Sequence, residues 1–108
     1  MKKIMISQRM KDVSDDVVRE NREKLINYVK RDLFSREEVE IVDSYFEEYP
    51  PNDTKNKPVW YLGKSIQKLS EADVLVVEEG AEYAKGCKIE ILIAESYGID
   101  VHYVHNTK

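Results

Sequence analysis

Four short apolar segments alternate with three segments of helical periodicity, and this alternation constrains the fold more than any other feature. The predicted strands are residues 2–6, 39–43, 72–78 and 100–104. The predicted helices are residues 15–33, 59–70 and 84–98. Strands that alternate with helices indicate a parallel sheet that carries helices on both faces. The sequence therefore predicts one α/β domain over residues 1–108.

The third predicted strand contains the run Val74-Leu75-Val76-Val77. An unbroken apolar run is typical of a strand that is covered on both faces. Because crossovers between parallel strands are right-handed, the simplest strand order is 2-1-3-4, a four-stranded, flavodoxin- or Rossmann-like doubly wound sheet. Its switch point lies between strands 1 and 3, and ligands bind there at the carboxyl ends of the strands.

Local signals support the helix assignments. Ser14 is a typical N-cap, and Asp15 and Asp16 favour the helix N-terminus that follows it. Gly98 is a typical residue just beyond a helix C-terminus. All three prolines lie in residues 47–58, which indicates a loop. Apolar residues at helical spacing predict a core face for each of the first two helices: Val18, Leu25, Val29 and Leu33, then Val59, Leu62, Ile66 and Leu69.

Composition argues against several classes of partner. The chain has 17 basic and 21 acidic residues, a net charge of −4, whereas proteins that bind nucleic acid or membranes usually carry a basic footprint. We therefore expect neither partner. The apolar run in MKKIMIS is too short for a signal peptide, and no segment approaches the roughly 20 apolar residues of a membrane span. The single cysteine, Cys87, excludes an internal disulfide and fits a cytoplasmic protein.

Cofactor motifs are not found in the sequence. His102 and His105 have no other plausible metal ligand nearby in sequence, and a zinc site needs three or four ligands. There is neither a phosphate-loop lysine pattern nor a dinucleotide glycine fingerprint. Cys87 has no nearby histidine and is interpreted as a small buried residue rather than a nucleophile. We expect no metal and no cofactor.

Glu90 is an unusual residue because it lies in the middle of an otherwise apolar helix face. Its neighbours on the helical wheel are Gly86, Ile93, Ala94 and Tyr97. Backbone N–H groups at the helix start favour an ionised Glu90 if it lies in the first turn, whereas burial raises the pKa of a carboxyl. Two interpretations stay open. Glu90 is a nucleophile in a partly dry pocket, or it pairs with a basic residue or reaches solvent past Gly86.

The other candidates for substrate binding follow the predicted strands. They are Ser7, Gln8, Arg9 and Met10 after strand 1, Asp43 after strand 2, Glu78 after strand 3, and Gly86 at the start of helix 3. Gly86 would let a ligand approach the helix closely because it has no Cβ. Met10, Trp60 and Tyr61 either cover a base or sugar or belong to the core.

Four segments resemble, in the same order, blocks of the nucleoside 2-deoxyribosyltransferase-like superfamily. KIMISQRM resembles its strand-1 start ISQPM, and VDSYFEE, PVWYLGKSIQKLSEADV and AKGCKIEILIAESYGIDVHYV resemble its later blocks. The chain is most similar to a small subgroup known only as a domain of unknown function. Gly86 and Glu90 match the glycine-x-x-x-glutamate helix start of the superfamily. In its characterised enzymes that glutamate displaces the base from a 2′-deoxynucleoside and forms a covalent deoxyribosyl ester.

The resemblance implies that Glu90 is the nucleophile in transfer or hydrolysis at the N-glycosidic bond of a nucleoside or nucleotide. Ser7, Gln8 and Arg9 would position sugar or phosphate, and Arg9 would favour a charged substrate such as a 5′-nucleotide. These enzymes often complete their sites with residues from a neighbouring subunit, which implies a homo-oligomer, a dimer or larger.

The chain departs from the superfamily pattern in three places. Arg9 replaces the proline of ISQPM, and Lys11-Asp12 replaces the arginine-glycine pair that usually follows. The segment Tyr83-Ala84-Lys85 stands where the transferases carry an aspartate before the motif glycine. Glu78, Glu79 or Glu82 would have to replace that aspartate. Two other hypotheses therefore stay open: a non-catalytic nucleotide-binding module on the same fold, and a structural protein in which Glu90 is satisfied internally.

Overall fold

A computed structural model of the protein describes residues 1–10, 12–42 and 49–104. Asp43 and His105, both considered above, lie outside the described residues. The regular elements in chain order are β1 (Lys2–Ser7), α1 (Asp15–Tyr28), β2 (Val39–Val42), α2 (Lys57–Leu69), β3 (Val74–Val77), α3 (Lys85–Ser96) and β4 (Asp100–Tyr103). A π-helical turn, Val29–Leu33, continues α1, and a short 3₁₀ turn, Ala81–Tyr83, precedes α3.

The four strands form one parallel sheet in the order β2-β1-β3-β4, which confirms the predicted topology. In its register, Ile4 of β1 is level with Ile41 of β2 and with Val74 of β3. Ser7, the last residue of β1, is level with Val77, the last residue of β3. The segments that leave β1 and β3 therefore start side by side at the carboxyl edge of the sheet.

The sheet has an apolar core on each face because side chains alternate along each strand. On the face covered by α2 and α3, the core includes Met5, Leu69, Leu75, Val77, Ile91 and Ala94. On the opposite face it includes Ile4, Val29, Val74 and Val76, with Leu33 and Phe34 packed against them. Ser7 occupies the same side of β1 as Met5 and so faces α3.

The first helix does not continue as an α-helix to residue 33. Ser14 caps α1 as predicted, since its Oγ accepts the N–H of Val17 at 3.3 Å. After Tyr28 the backbone widens into π-helical turns, and the N–H of Phe34 donates to the carbonyl oxygen of Val29 at 2.8 Å. This wider turn accompanies the packing of Leu33 and Phe34 against the core beside Val29.

The second helix begins earlier than predicted, at Lys57, because Asn56 caps it. The Asn56 Oδ1 accepts the N–H of Val59 at 3.1 Å, and Pro58 lies in the first turn, where its missing N–H leaves no bond unmade. In α2, which lies wholly within the described chain, Leu69 is fully buried as predicted, whereas Val59 is 59% exposed. The amino end of α2 is thus open towards solvent.

The third helix ends as predicted from Gly98. The α-helix stops at Ser96, and Gly98 has φ of 76°, the left-handed conformation that glycine adopts without strain. The N–H of Ile99 donates to the carbonyl oxygen of Ala94 at 2.9 Å, which closes the helix end. Throughout residues 1–10, 12–42 and 49–104, no helix has both the length and the apolar character needed to span a membrane.

Candidate functional site

A cavity of about 830 Å³ opens at the carboxyl ends of β1 and β3, the predicted switch point. This volume is in the range of small-molecule sites. Three segments form its wall: the residues that end and follow β1, the stretch of α2 from Pro58 to Ser65, and the segment from Gly80 to Glu90. The topology explains this position, because the chain leaves β1 and β3 in opposite directions and the gap between them stays open.

Six of the eight residues predicted for the site line this one cavity: Ser7, Gln8, Arg9, Met10, Gly86 and Glu90. Glu78 is not among the described residues of the wall. Its Oε1 instead accepts the backbone N–H of Arg9 at 3.2 Å, so it holds the loop that carries the site. Asp43 lies outside the described residues.

Glu90 is buried and hydrogen-bonded to Ser7. The Ser7 Oγ donates to Oε1 of Glu90 at 2.6 Å, and the two residues are 2% and 7% exposed. No lysine or arginine in the described part of the chain forms an ion pair with Glu90. Pairing with a basic residue, one of the alternatives open from the sequence, is therefore not what satisfies this carboxylate.

The surroundings of Glu90 make its protonated form more favourable than that of an exposed glutamate. Burial raises the pKa of the Glu90 carboxyl above its usual value of 4.5, and the hydrogen bond from Ser7 opposes this with a smaller effect. Glu90 is the sixth residue of α3. It therefore lies in the second turn, beyond the backbone N–H groups that would have favoured its ionised form.

Cys87 lies one turn before Glu90 and contributes a neutral thiol to the site. Its Sγ donates to the carbonyl oxygen of Gln8 at 3.4 Å. Burial raises the pKa of the thiol from 9.0 to about 11, a hydrogen bond with Ser7 opposes this rise, and the carboxylates of Glu90 and Glu78 add to it. Because the thiolate is the reactive species, Cys87 at neutral pH is a hydrogen-bond donor that ties α3 to the end of β1.

The side-chain amide of Gln8 links the end of β1 to α1, and its oxygen atom has no hydrogen-bond donor in the described chain. Its Nε2 donates to the carbonyl oxygen of Val18 at 3.1 Å. Its Oε1 is buried, and no group in the described chain donates to it. A buried acceptor without a partner is uncommon in native proteins and marks a place where a bound molecule can supply the missing donor.

Some residues of the wall were not predicted from the sequence. Asp12 lies beside the cavity with φ of 64°, a left-handed conformation that aspartate tolerates better than most residues. Within the described ranges, Asp12 and Glu90 are the two carboxylates of the wall. The position of Asp12 after the first strand is the signal that could have identified it. Leu62, Ser65 and Lys85 also line the cavity.

Glycine at position 86 is not required by the packing of the protein itself. A Cβ added there would meet one neighbouring atom, Cδ1 of Leu62, at 3.9 Å, an ordinary van der Waals distance. The space beside the helix start is part of the cavity, and the missing side chain of Gly86 leaves this space open.

Metal-ligand groups do not assemble in this cavity or elsewhere among the described residues, where no three His, Cys, Asp or Glu side chains could together hold an ion. No family model, curated protein or solved structure matches this chain. The fold and the site therefore define a class: a parallel α/β protein with a buried, hydrogen-bonded carboxylate in a cavity at its switch point.

Proposed function

We propose that this protein acts on the N-glycosidic bond of a nucleoside or nucleotide, by transfer or hydrolysis, through a covalent glycosyl ester on Glu90. The observation that carries the proposal is the position of Glu90, a buried carboxylate in the cavity wall at the switch point. Its glycine-x-x-x-glutamate helix start, which resembles that of the nucleoside 2-deoxyribosyltransferase-like superfamily, supports the same role.

The chemistry needs two displacements at C1′ of the sugar. In the first, a carboxylate oxygen of Glu90 bonds to C1′ while the C1′–N bond breaks and its electron pair leaves with the base. In the second, water or another base attacks C1′, and the ester bond breaks to release Glu90. Because only an ionised Glu90 can attack, the raised pKa of its carboxyl moves the acid limb of activity to higher pH than for an ordinary glutamate.

Asp12 is the second acid in this proposal. A retaining transfer uses one carboxyl group as nucleophile and another to protonate the leaving group and later to deprotonate the acceptor. The superfamily aspartate before the motif glycine is replaced here by Tyr83-Ala84-Lys85. Among the described residues of the wall, Asp12 supplies the other carboxylate.

The charge and shape of the cavity suit a nucleotide. Arg9 and Lys85 both line it and provide positive charge for a phosphate. Met10 and Tyr61 also line it, and their side chains are 42% and 37% exposed, so apolar surface is available to a base. Glycine at position 86 leaves room for the substrate to approach the start of α3.

The proposal includes a homo-oligomer in the cytoplasm. Leu92 on α3 and Val59 on α2 are 63% and 59% exposed, and a second copy of the chain would cover such apolar side chains. Light scattering of the purified protein tests this part of the proposal, and a monomer at every concentration would contradict it.

The test of the activity is base release from a panel of nucleosides and their 5′-monophosphates, with and without a second free base as acceptor. Free base should appear with the native protein and fall at least about 1,000-fold in Glu90→Gln, because no nucleophile remains. Glu95→Gln, the same substitution at an exposed position of α3, is the matched control and should retain full activity. Equal activity in Glu90→Gln would remove Glu90 from the mechanism.

A non-catalytic nucleotide-binding module is the second candidate. It is favoured by the internal hydrogen bond from Ser7, because a carboxyl that is already hydrogen-bonded within the protein suits binding better than attack. Thermal-shift measurements with nucleotides identify a ligand, because a bound ligand raises the unfolding temperature in either case, and analysis of the recovered ligand then distinguishes the two functions. Recovery of the ligand unchanged supports binding alone, and its conversion to free base supports catalysis.

A further inference from the structure

The contact between Ser7 and Glu90 joins the central strand of the sheet to the helix that carries the carboxylate. We propose that Ser7 is a positioning residue for Glu90 and does not bind the substrate itself. This assignment differs from the substrate-binding role that the sequence suggested for Ser7. Its effect on rate rests on the proposed function, whereas its effect on the carboxyl of Glu90 does not.

Ser7 is held rigidly by its backbone. It is the last residue of β1 and is paired with Val77 of β3, whereas the described pairing of β1 with β2 ends at Met5 and Val42. Its own carbonyl oxygen accepts the N–H of Glu78 at 2.9 Å. A side chain on a central strand of a packed sheet has little freedom to move, so Ser7 presents its hydroxyl to α3 at a constant position.

The hydroxyl of Ser7 already donates to Glu90 and also lies within hydrogen-bonding reach of the Cys87 thiol. A serine hydroxyl has one proton to donate, and Ser7 Oγ directs this proton at Oε1 of Glu90, with 2.6 Å between the two oxygens. Ser7 is only 2% exposed although it borders the cavity. A substrate could therefore reach this hydroxyl only by displacing Glu90, which would disrupt the nucleophile.

The hydrogen bond from Ser7 to one carboxylate oxygen of Glu90 leaves the other oxygen available for reaction. Glutamate has several rotatable bonds, and a hydrogen bond to a fixed partner restricts them to one arrangement. Oε1 is occupied by Ser7, so Oε2 is the oxygen that this carboxylate can offer to C1′. Such restriction matters because a displacement of about 1 Å in a reacting group can cost on the order of 100-fold in rate.

The same hydrogen bond keeps Glu90 more ionised than burial alone would allow. Burial raises the pKa of the Glu90 carboxyl, whereas the hydrogen bond that Ser7 donates lowers it. Cys87 separately ties α3 to the end of β1 through the carbonyl oxygen of Gln8. Loss of the Ser7 hydroxyl should therefore leave the helix in place and change mainly the orientation and ionisation of Glu90.

The experiment compares Ser7→Ala and Ser7→Thr with the native protein in two measurements. The first is the titration of Glu90 in the free protein, followed by carbon-13 NMR of labelled glutamate carboxyls, with Glu90→Gln identifying the signal. The second is the pH profile of kcat and of kcat/KM for base release. Ser96→Ala is the matched control, because Ser96 lies on α3 with an exposed hydroxyl bonded to the carbonyl oxygen of Leu92.

In Ser7→Ala, the Glu90 titration and the acid limb of the profile should both move to higher pH. At neutral pH, kcat/KM should fall about tenfold or more, the loss expected for a hydrogen bond to a charged group. Ser7→Thr keeps the hydroxyl and should restore both properties in large part. Ser96→Ala should match the native protein in both measurements.

An unchanged Glu90 titration in a folded Ser7→Ala variant overturns the proposal. A rise in KM alone, with kcat and the acid limb unchanged, also overturns it and assigns Ser7 to substrate binding. If the alanine variant does not fold, Ser7→Cys replaces it, and its weaker donor should shift the titration in the same direction. If the native protein cleaves no substrate, the proposed function fails, and the titration alone still decides the role of Ser7.

Discussion

Replacing Glu90 with glutamine should stabilise the folded protein at neutral pH and have little effect in acid. Glu90 is 7% exposed, and burial raises the pKa of its carboxyl above 4.5. The folded state therefore binds this proton more tightly than the unfolded state does. As pH rises from about 4.5 through the folded pKa, stability is lost, and above that pKa the full cost of the buried charge is present.

The substitution isolates the charge. Glutamine has almost the same volume as glutamate and keeps an oxygen that can accept the hydroxyl of Ser7 at the present 2.6 Å. Relieving a destabilising arrangement at a functional site commonly stabilises a protein by about 0.5–2 kcal/mol. At about 2.1 cal/mol/K per residue, a chain of 108 residues has an unfolding entropy of about 0.23 kcal/mol/K. The expected rise in Tm at pH 7 is therefore about 2–9 °C.

The assay is thermal unfolding followed by circular dichroism at pH 7 and at pH 4. Glu90→Gln should gain stability at pH 7 and lose most of that gain at pH 4, where the native Glu90 is protonated in both states. Glu95→Gln, at an exposed position of the same helix, should change Tm little at either pH. A gain of equal size at both pH values would refute the reasoning, because it would arise from packing and not from charge. No gain at pH 7 would refute it as well.

Three further predictions concern the thiol, the core and the backbone. Cys87 has a pKa of about 11, so its alkylation by iodoacetamide at pH 7.5 should be at least about 100-fold slower than that of free cysteine. The alkylation should become faster near pH 11, and intact mass measures both rates. Leu75→Ala, in the fully buried core, should lower the free energy of unfolding in urea by about 2–5 kcal/mol, whereas Val17→Ala, at a position of α1 that is 42% exposed, should change it by no more than about 0.5 kcal/mol. Gly98→Ala should cost about 1–2 kcal/mol because its φ is 76°. Gly63→Ala should stabilise α2 by about 0.5–1 kcal/mol, because an added Cβ meets no atom within 4 Å. A destabilised Gly63→Ala or an unaffected Gly98→Ala would contradict this backbone argument.

The strand order was predictable because few topologies satisfy the pattern. Alternating strands and helices indicate parallel strands, right-handed crossovers limit the possible topologies, and the simplest of these is the order that the structure adopts. Element boundaries were less predictable. The π-helical turn at Val29–Leu33 and the early start of α2 at Asn56 depend on hydrogen bonds that apolar spacing does not encode.

The site was predictable in place and only partly in composition. Ser7, Gly86 and Glu90 were expected together because each lies at the carboxyl edge near the switch point, and all three line the cavity. Asp12 was not singled out, since an aspartate in a polar loop carries no periodic signal. Leu62 was predicted to lie in the core, because helical spacing does not distinguish a helix face that packs against the core from one that borders a cavity.

The sequence by itself determined the α/β class, the strand order and the presence of one acid on an apolar helix face. These follow from local periodicity and from chirality, which act along the chain. Only the tertiary structure decided which group is hydrogen-bonded to that acid. Ser7 and Glu90 are 83 positions apart in sequence, and they meet because α3 packs against the end of β1. The pKa of Glu90 is likewise a tertiary property, since it depends on how completely water is excluded once the sheet and helix have packed.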